Sequence, residues 1–493
     1  MTGNRFRGIF GIAALGLAAS AMADRHFVSK EIEYRTDDGW TISGTLRLPP
    51  GAGRNNEFAA MLLLHEKEHE RLDVGDNDEE LAHRLPIEEN VATLAIDWRG
   101  REKSMGEHQP IPDELHDFSA KAREQMYLDV KGGLEFLAAY PGVDRLRIGV
   151  LASQFSAEPA IRGIRETASL PTRAIVMLGG ENLSAESKAW LAETRTPLYV
   201  GASILDKPVF LDMAEVYVHA QNPDSHMFAP YSAGRGFNLV RRGTRPQVEL
   251  QNLIDWIAVQ VRNLGRTRSV SFETEDGWTI HGNLRYPDDL GRGGRLVPAV
   301  VQVSGARSNR HSMYRFEEEF ARRGFAVLSI ELRGRGASME GMLFDADEVF
   351  EVRENLLASP FELDTEAAIN YLAKLDGIDA TRIAIVGEAR GTRSALLAAE
   401  GDDRVAAMIL ISAYEADERM EQAARTLDVP MLLIDTETNW ARPGTEAVHG
   451  WAKKSQLMIY PRLGHSHHIR YFHPQMVGLM GDFLERELQP PSD

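Results

Sequence analysis

The chain holds no cysteine in 493 residues. Disulfides, thiolate nucleophiles and thiolate metal ligands are therefore all excluded. Positive charge is also in short supply: 55 Lys and Arg stand against 73 Asp and Glu, a net charge of −18. Phosphate backbones and anionic membrane surfaces are held by clustered basic side chains, so no nucleic-acid partner is expected. Beyond residue 23 no apolar run is long enough to span a bilayer.

What is present begins with an address. Arg5 and Arg7 precede an apolar run, Gly8–Ala19, and Ala21-Met22-Ala23 has the small-x-small pattern of a cleavage site. Residues 1–23 read as a bacterial signal peptide, which places the mature chain, from about Asp24, in the periplasm or outside the cell. A membrane anchor is the alternative, and the run is short for one. With no cysteine, a lipid-modified one is ruled out.

The remainder repeats itself. Thr36–Pro49 (TDDGWTISGTLRLP) and Thr274–Pro287 (TEDGWTIHGNLRYP) agree at ten of fourteen positions, 238 residues apart. Arg99-Gly100-Arg101 is answered by Arg333-Gly334-Arg335, and Leu146–Leu151 by Thr381–Val386. A period this long marks a duplicated domain, not a solenoid unit. We divide the chain into residues 24–264 and 265–493, with the boundary near Leu264-Gly265, after an amphipathic helix, Val248–Val261.

Each half has the same order of elements. A hairpin (Trp40–Leu48; Trp278–Tyr286) leads to an apolar strand (Ala59–Leu64; Ala299–Val303). A helix follows, then another strand (Val91–Ile96; Ala326–Ile330). A second helix (Ala120–Ala139; Thr365–Leu375) precedes a strand (Arg147–Leu151; Ile383–Val386) that ends in a sharp turn. Strands alternating with helices imply two tandem α/β domains, each a mostly parallel sheet with helices on both faces. Sites in such sheets form at the carboxyl ends of the strands.

The sharp turn is the informative stretch. In RIAIVGEARGT, Arg382–Thr392, a strand meets Gly387 and Gly391 and continues into a helix, Ser394–Glu400. This is the layout of a nucleophile elbow, G-x-S-x-G, whose glycines let the central side chain stand above the sheet. The central residue here is Ala389, and a methyl group cannot attack a carbonyl.

Both halves resemble α/β-hydrolases, close to the dienelactone-hydrolase and serine-aminopeptidase groups. The residues that carry the likeness are the DGW-x-I-x-G hairpins, the R-G-x-x-x-S turns (Arg99 to Ser104; Arg333 to Ser338), the D-x-x-R-I entries to the elbows, and Gly464-His465. The resemblance covers nearly all of the mature chain and is specific for fold but weak for substrate. It implies a serine, an acid and a histidine, in that chain order.

Mapped residue by residue, the second half has Ala389 at the serine position, Asn439 at the acid position and His465 at the histidine position. An amide at the acid position is expected to hold the imidazole in the wrong tautomer. In the first half, counting from Arg147-Ile148 puts Gln154 at the tip, followed by the bulkier Phe155-Ser156. Asp206 fills the acid position and Arg235 the histidine position, where a guanidinium cannot act as a base. Ser153 is the fallback nucleophile, and it requires a shifted turn. His65-Glu66 stand where the family has His-Gly, so a carboxylate would face a developing oxyanion. Ser304-Gly305-Ala306 is more permissive.

Other signals are weaker. His65-Glu66-Lys67-Glu68-His69 spells H-E-x-x-H, which on a helix would bring His65, Glu66 and His69 together for zinc chemistry. Its setting, straight after a strand and before EHERLDVGDNDEE, favours a solvated acidic loop. His465, His467, His468 and His473 form a second histidine-rich stretch. The acidic run Asp345–Glu354 is expected to cover the site as a lid. Arg99, Arg101, Arg333 and Arg335 stand beyond strand ends, either bonded to nearby carboxylates or holding an anion.

The expectation is an exported hydrolase-like protein that is catalytically silent, needs no cofactor, and binds a small acyl or carboxylate ligand or a protein of the cell envelope. Arg235 in place of a histidine favours an anionic ligand in the first pocket. The competing expectations are an unconventional serine esterase or peptidase and a metal-dependent hydrolase.

Overall fold

The computed structural model describes residues 27–52, 57–66, 81–105, 120–230, 232–241, 246–262, 267–287, 296–305, 308–339, 359–414, 416–462 and 464–488. The signal segment, the Leu264-Gly265 boundary, His69 and the run Asp345–Glu354 lie outside the described residues.

Two eight-stranded sheets are formed. The first contains β1 (Val28–Arg35), β2 (Thr41–Leu48), β3 (Phe58–Leu64), β4 (Val91–Ile96), β5 (Val143–Ser153), β6 (Thr172–Leu178), β7 (Leu198–Gly201) and β8 (His226–Phe228). The second contains β9 (Thr267–Glu273), β10 (Thr279–Arg285), β11 (Val297–Val303), β12 (Ala326–Ile330), β13 (Ile378–Glu388), β14 (Val405–Ile411), β15 (Met431–Thr436) and β16 (Ser455–Tyr460). Strand order is β1-β2-β4-β3-β5-β6-β7-β8 in one sheet and β9-β10-β12-β11-β13-β14-β15-β16 in the other. The two orders superimpose strand for strand. In each, the first hairpin and its pairing to the fourth strand in chain order are antiparallel, and the rest is parallel.

Burial on both faces explains the apolar strands. Along β3, Leu62 and Leu64 enter one core with Val150 and Ile175, while Met61 and Leu63 enter the opposite core with Leu151 and Val176. Successive side chains on a strand point to opposite faces, so a strand covered on both sides must be apolar throughout. The second sheet repeats this: Val301 and Ile385 belong to one core, Val300 and Val386 to the other.

Element boundaries moved in places. Trp40–Leu48 and Trp278–Tyr286, expected as whole hairpins, supply only the second strands; β1 and β9 pair with them. The elbow strands run longer than expected, to Ser153 and Glu388, because those polar residues are themselves buried by partners described below.

The repeated DGW hairpin has a structural purpose. In the first half Arg99 donates from Nε to Asp129 Oδ1 at 2.8 Å and from Nη1 to Asp38 Oδ2 at 2.7 Å. In the second, Arg333 donates from Nε to Asp364 Oδ1 at 2.7 Å and from Nη1 to Asp276 Oδ2 at 2.6 Å. Each guanidinium also lies over the motif tryptophan, Trp40 or Trp278. Both arginines are buried. Their charges are spent on hairpin and helix, so Arg99 and Arg333 hold the scaffold and not an anion.

Candidate active site

A left-handed backbone on a non-glycine residue costs energy and persists only where the surroundings impose it. The two apex positions carry it: Gln154 has φ +50° and Ala389 φ +47°. Gly387 and Gly391 make the second turn possible. A Cβ on Gly387 would stand 2.6 Å from Gly391 O, and one on Gly391 would stand 2.4 Å from Val303 O. In the first half Ser156 occupies the second glycine's place. Its hydroxyl accepts from Ser153 N at 2.6 Å and donates to Ser153 O at 2.7 Å, which closes the turn with a side chain.

Around Ala389 the structure assembles a hydrogen-bonded chain. His465 Nδ1 and Asn439 Oδ1 are 3.1 Å apart. Asn439 Nδ2 donates to Asp435 Oδ1 at 2.5 Å and to Ser412 Oγ at 2.9 Å. A carboxylate accepts and does not donate, so the amide nitrogen must face Asp435 and the amide oxygen must face the imidazole. The proton of His465 is thereby fixed on Nδ1. This corrects the expectation of a wrong tautomer: Asn439 is aimed by Asp435, so Nε2 carries the lone pair, as a general base requires. Burial raises the Asp435 carboxyl above its ordinary value, against donation from Thr445, Asn439, Thr436 N and Ser412. The His465 ring stacks on Trp440 with centroids 5.1 Å apart, and Trp440 meets Tyr414 edge-on at 4.9 Å. Trp440 is nonetheless 54% exposed, and Tyr414 accepts from Nε of Arg390, the residue after the apex, at 3.2 Å.

Among the described residues nothing equivalent surrounds Gln154. Arg235 donates from Nη2 to Asp206 Oδ1 at 3.0 Å, again from Nε to Asp206 Oδ2, and from Nη1 to Glu181 Oε1 at 2.9 Å. The acid and histidine positions have become a forked ion pair. Two carboxylates share the Arg235 charge, so the expected anion-binding role in the first pocket loses its physical basis. The fallback nucleophile fares no better. Ser153 is buried at the end of β5, not at the apex, and its hydroxyl donates to Glu66 Oε1 at 2.7 Å.

Sequence reasoning missed a pair of buried carboxylates behind the apexes. Glu66, at the end of β3, accepts from Ser153 Oγ and from Phe237 N at 2.7 Å. In the second half the corresponding strand ends in Ser304-Gly305, and the carboxylate comes from the elbow strand instead. Glu388 accepts from Gly305 N at 3.0 Å, Ser466 Oγ at 2.9 Å, His467 N at 3.0 Å and His467 Nδ1 at 2.7 Å. Burial alone would raise the Glu388 carboxyl, but His467 and the Gly305 amide hold it far below the usual range. The two glutamates come from different strands and join the same three parts: elbow, neighbouring strand end and histidine loop. The loop is shaped to match. A Cβ on Gly236 would stand 1.7 Å from Glu66 Oε1, whereas Ser466 at the matching place donates to Glu388. The available signal was an acid at 66 opposite glycine at 305, and an acid at 388 opposite serine at 153.

Of the zinc spacing only His65 and Glu66 are described: they follow β3 as irregular backbone, His65 Nδ1 lies 2.7 Å from Glu66 O, and the Glu66 carboxylate is engaged as above. Among the described residues no three His, Asp or Glu side chains come together to hold a metal. His467 is buried and bonded to Glu388, and the partly buried His468 packs on it with ring centroids 3.9 Å apart.

Residues 291–471 match the model of the dienelactone hydrolase family. A 2,6-dihydropseudooxynicotine hydrolase from Paenarthrobacter nicotinovorans is 29% identical over 134 residues, 27% of this chain and 32% of that one. The matched stretch thus spans about a third of that relative's length. Among solved structures, a 2,6-dihydroxy-pseudo-oxynicotine hydrolase is 15% identical, with TM-score 0.38, over 58% of this chain and 83% of that one. A dienelactone hydrolase from Anabaena variabilis is 20% identical, with TM-score 0.36, over 45% and 99%. The likeness to the dienelactone hydrolase family is thus carried by residues 291–471, in the second of the two mixed α/β sheets.

Proposed function

We propose that this chain is a hydrolase-fold protein that no longer performs acyl transfer and that binds a small acyl ligand at the second-half apex. One observation carries the reading. Both apexes keep the strained backbone that presents a nucleophile, and they present an amide and a methyl group. The strain is common to both apexes, so it supports the loss of the nucleophile, and what surrounds each apex separates scaffold from site. The second-half site keeps its oriented imidazole and an aromatic wall, Trp440 and Tyr414, which suit recognition of a planar or apolar acyl group. The first-half site is closed by its own ion pair and serves as scaffold. Export to the periplasm or beyond belongs to the same proposal, on the strength of residues 1–23. So does a protein partner in the envelope, to which pull-down from that compartment would speak.

A fluorophosphonate probe tests the central claim. The purified chain is expected to remain unlabelled, while saturable binding of acyl compounds is reduced by Trp440→Ala. Stoichiometric labelling of Ser153 would overturn the proposal in favour of an unconventional serine hydrolase.

A further inference from the structure

A first-half carboxylate is bonded to the second half's histidine loop. Asp255 lies on the helix Pro246–Val261 and is buried. It accepts from Arg470 Nη2 at 2.9 and 3.0 Å and from Tyr471 Oη at 2.9 Å. Gln251, one turn earlier, donates to it from Nε2 at 3.0 Å. Arg470 is buried as well, and its Nη1 donates to Ser312 O at 2.8 Å. A buried ion pair is a weak source of stability, and its better-attested use is to fix how two parts meet.

The part fixed here carries the imidazole. Arg470 stands five residues after His465. Between them run the turn Ser466–His468 and the start of the short helix Ile469–Phe472. That helix touches the residue before His465: a Cβ on Gly464 would stand 3.0 Å from Ile469 Cα. On the other side, His468 N donates to His465 O at 3.2 Å. A shift of Arg470 therefore reaches the backbone on both sides of His465, whose Nδ1 depends on Asn439 Oδ1 at 3.1 Å. The near end of the loop is tied within the second half, by Thr436 to Gly464 O and by Glu388 to Ser466 and His467. Asp255 ties the far end. The first half has a different arrangement. Counted from Arg235 as Arg470 is from His465, its residue is Val240, which joins the apolar core of its own half.

We propose that Asp255 is a positioning residue for the second-half site: through Arg470 and Tyr471 the first half holds the histidine loop so that His465 meets Asn439. The consequence for ligand binding rests on the function proposed above; the positioning does not.

The experiment uses the full chain with ¹⁵N-labelled histidine, the His465 ring nitrogens being assigned by His465→Gln. A single Nδ1–H tautomer is expected in the parent chain. Asp255→Ala is expected to mix the tautomers and draw the two nitrogen shifts towards each other. Asp255→Asn keeps the shape and one acceptor, and is expected to restore the parent pattern in part. His449, whose Nδ1 lies 2.8 Å from Ser455 Oγ, is the internal control and is expected not to move. Glu89→Gln breaks other bonds between the halves, to Tyr314 and Arg315, and is expected to leave His465 unchanged. If Asp255→Ala does not fold, Tyr471→Phe, which removes one bond to Asp255, takes its place. Calorimetric titration with methyl benzoate reads the consequence, and Asp255→Ala is expected to weaken its binding about 10-fold. Mixed tautomers in the parent, unchanged His465 nitrogens in Asp255→Ala, or an equal change in Glu89→Gln would each reduce the ion pair to packing and overturn the proposal. A parent chain that does not bind methyl benzoate overturns the function proposed above, and the nitrogens then decide this inference alone.

Discussion

The two halves solve one packing problem in opposite ways. Behind each apex the elbow strand, its neighbour and the histidine loop converge, and their backbone N–H groups need an acceptor. The first half supplies it from β3, as Glu66, and places a small hydroxyl, Ser153, on the elbow strand. The second supplies it from β13, as Glu388, and leaves glycine on the neighbouring strand. In front of the apex the halves diverge further. Arg235 is bound to two carboxylates, while His465 is oriented through Asn439 by Asp435. The acceptor behind the apex is thus common to both halves, and the imidazole oriented through Asn439 belongs to the second alone.

The sharpest way to break this comparison is to return a hydroxyl to each apex. Ala389→Ser places it on the elbow of the half that keeps His465, oriented through Asn439. General-base assistance is worth roughly 10²–10⁴ in rate, so fluorophosphonate labelling at position 389 is expected to rise at least about 10²-fold over the parent chain. Gln154→Ser belongs to the half with Arg235, tied to Asp206 and Glu181, at the histidine position and is expected to stay at the parent level. Equal labelling in both variants would dissolve the functional distinction. No labelling in Ala389→Ser would mean that the His465 chain is structural only.

A smaller effect separates the two carboxylates. Glu388→Ala leaves two buried backbone N–H groups, a hydroxyl and an imidazole N–H without their acceptor, for a loss of about 3–5 kcal/mol in denaturant unfolding. Glu66→Ala strands one N–H and one hydroxyl, for a loss of about 2 kcal/mol. The transplant Glu66→Gly with Ser153→Glu moves the acceptor to the second half's position. It is expected to recover part of the Glu66→Ala loss, and a transplant no better than Glu66→Ala would show that the two sites are not equivalent.

Much of this frame was legible in one sequence because its causes are local. The DGW hairpins, the arginine turns and the Arg-Ile elbow entries each depend on residues within a few positions. They fixed the order of the elements and the count to Gln154 and Ala389. What stayed hidden depends on partners far apart in the chain. Arg235 reads as an anion site until Glu181, 54 residues away, takes part of its charge. Asn439 reads as a defect until Asp435 is seen to turn the amide round. Glu66 reads as an obstacle to an oxyanion, or as half of a zinc motif, until Phe237 N, 171 residues on, is found bonded to it.

The smallest expected effect concerns Glu317, a buried carboxyl of the second half. Burial pushes the Glu317 carboxyl up to about 7, against the pull of Arg285 and of the Ser329 and Thr267 hydroxyls, with Glu318 adding to the rise. The folded-state pKa lies above the unfolded value, so this group's stabilising contribution is complete below the ordinary glutamate range. It is lost as pH rises towards 7. At most roughly 3 kcal/mol is at stake over that window. Comparison of wild type with Glu317→Gln isolates it from the opposite trend of Glu388, whose depressed pKa makes its contribution fail only in acid. The difference in unfolding free energy between pH 5 and pH 8 is expected to be smaller in Glu317→Gln. Parallel pH profiles in the two proteins would show that Glu317 is ionised throughout and that the second half tolerates a buried charge there.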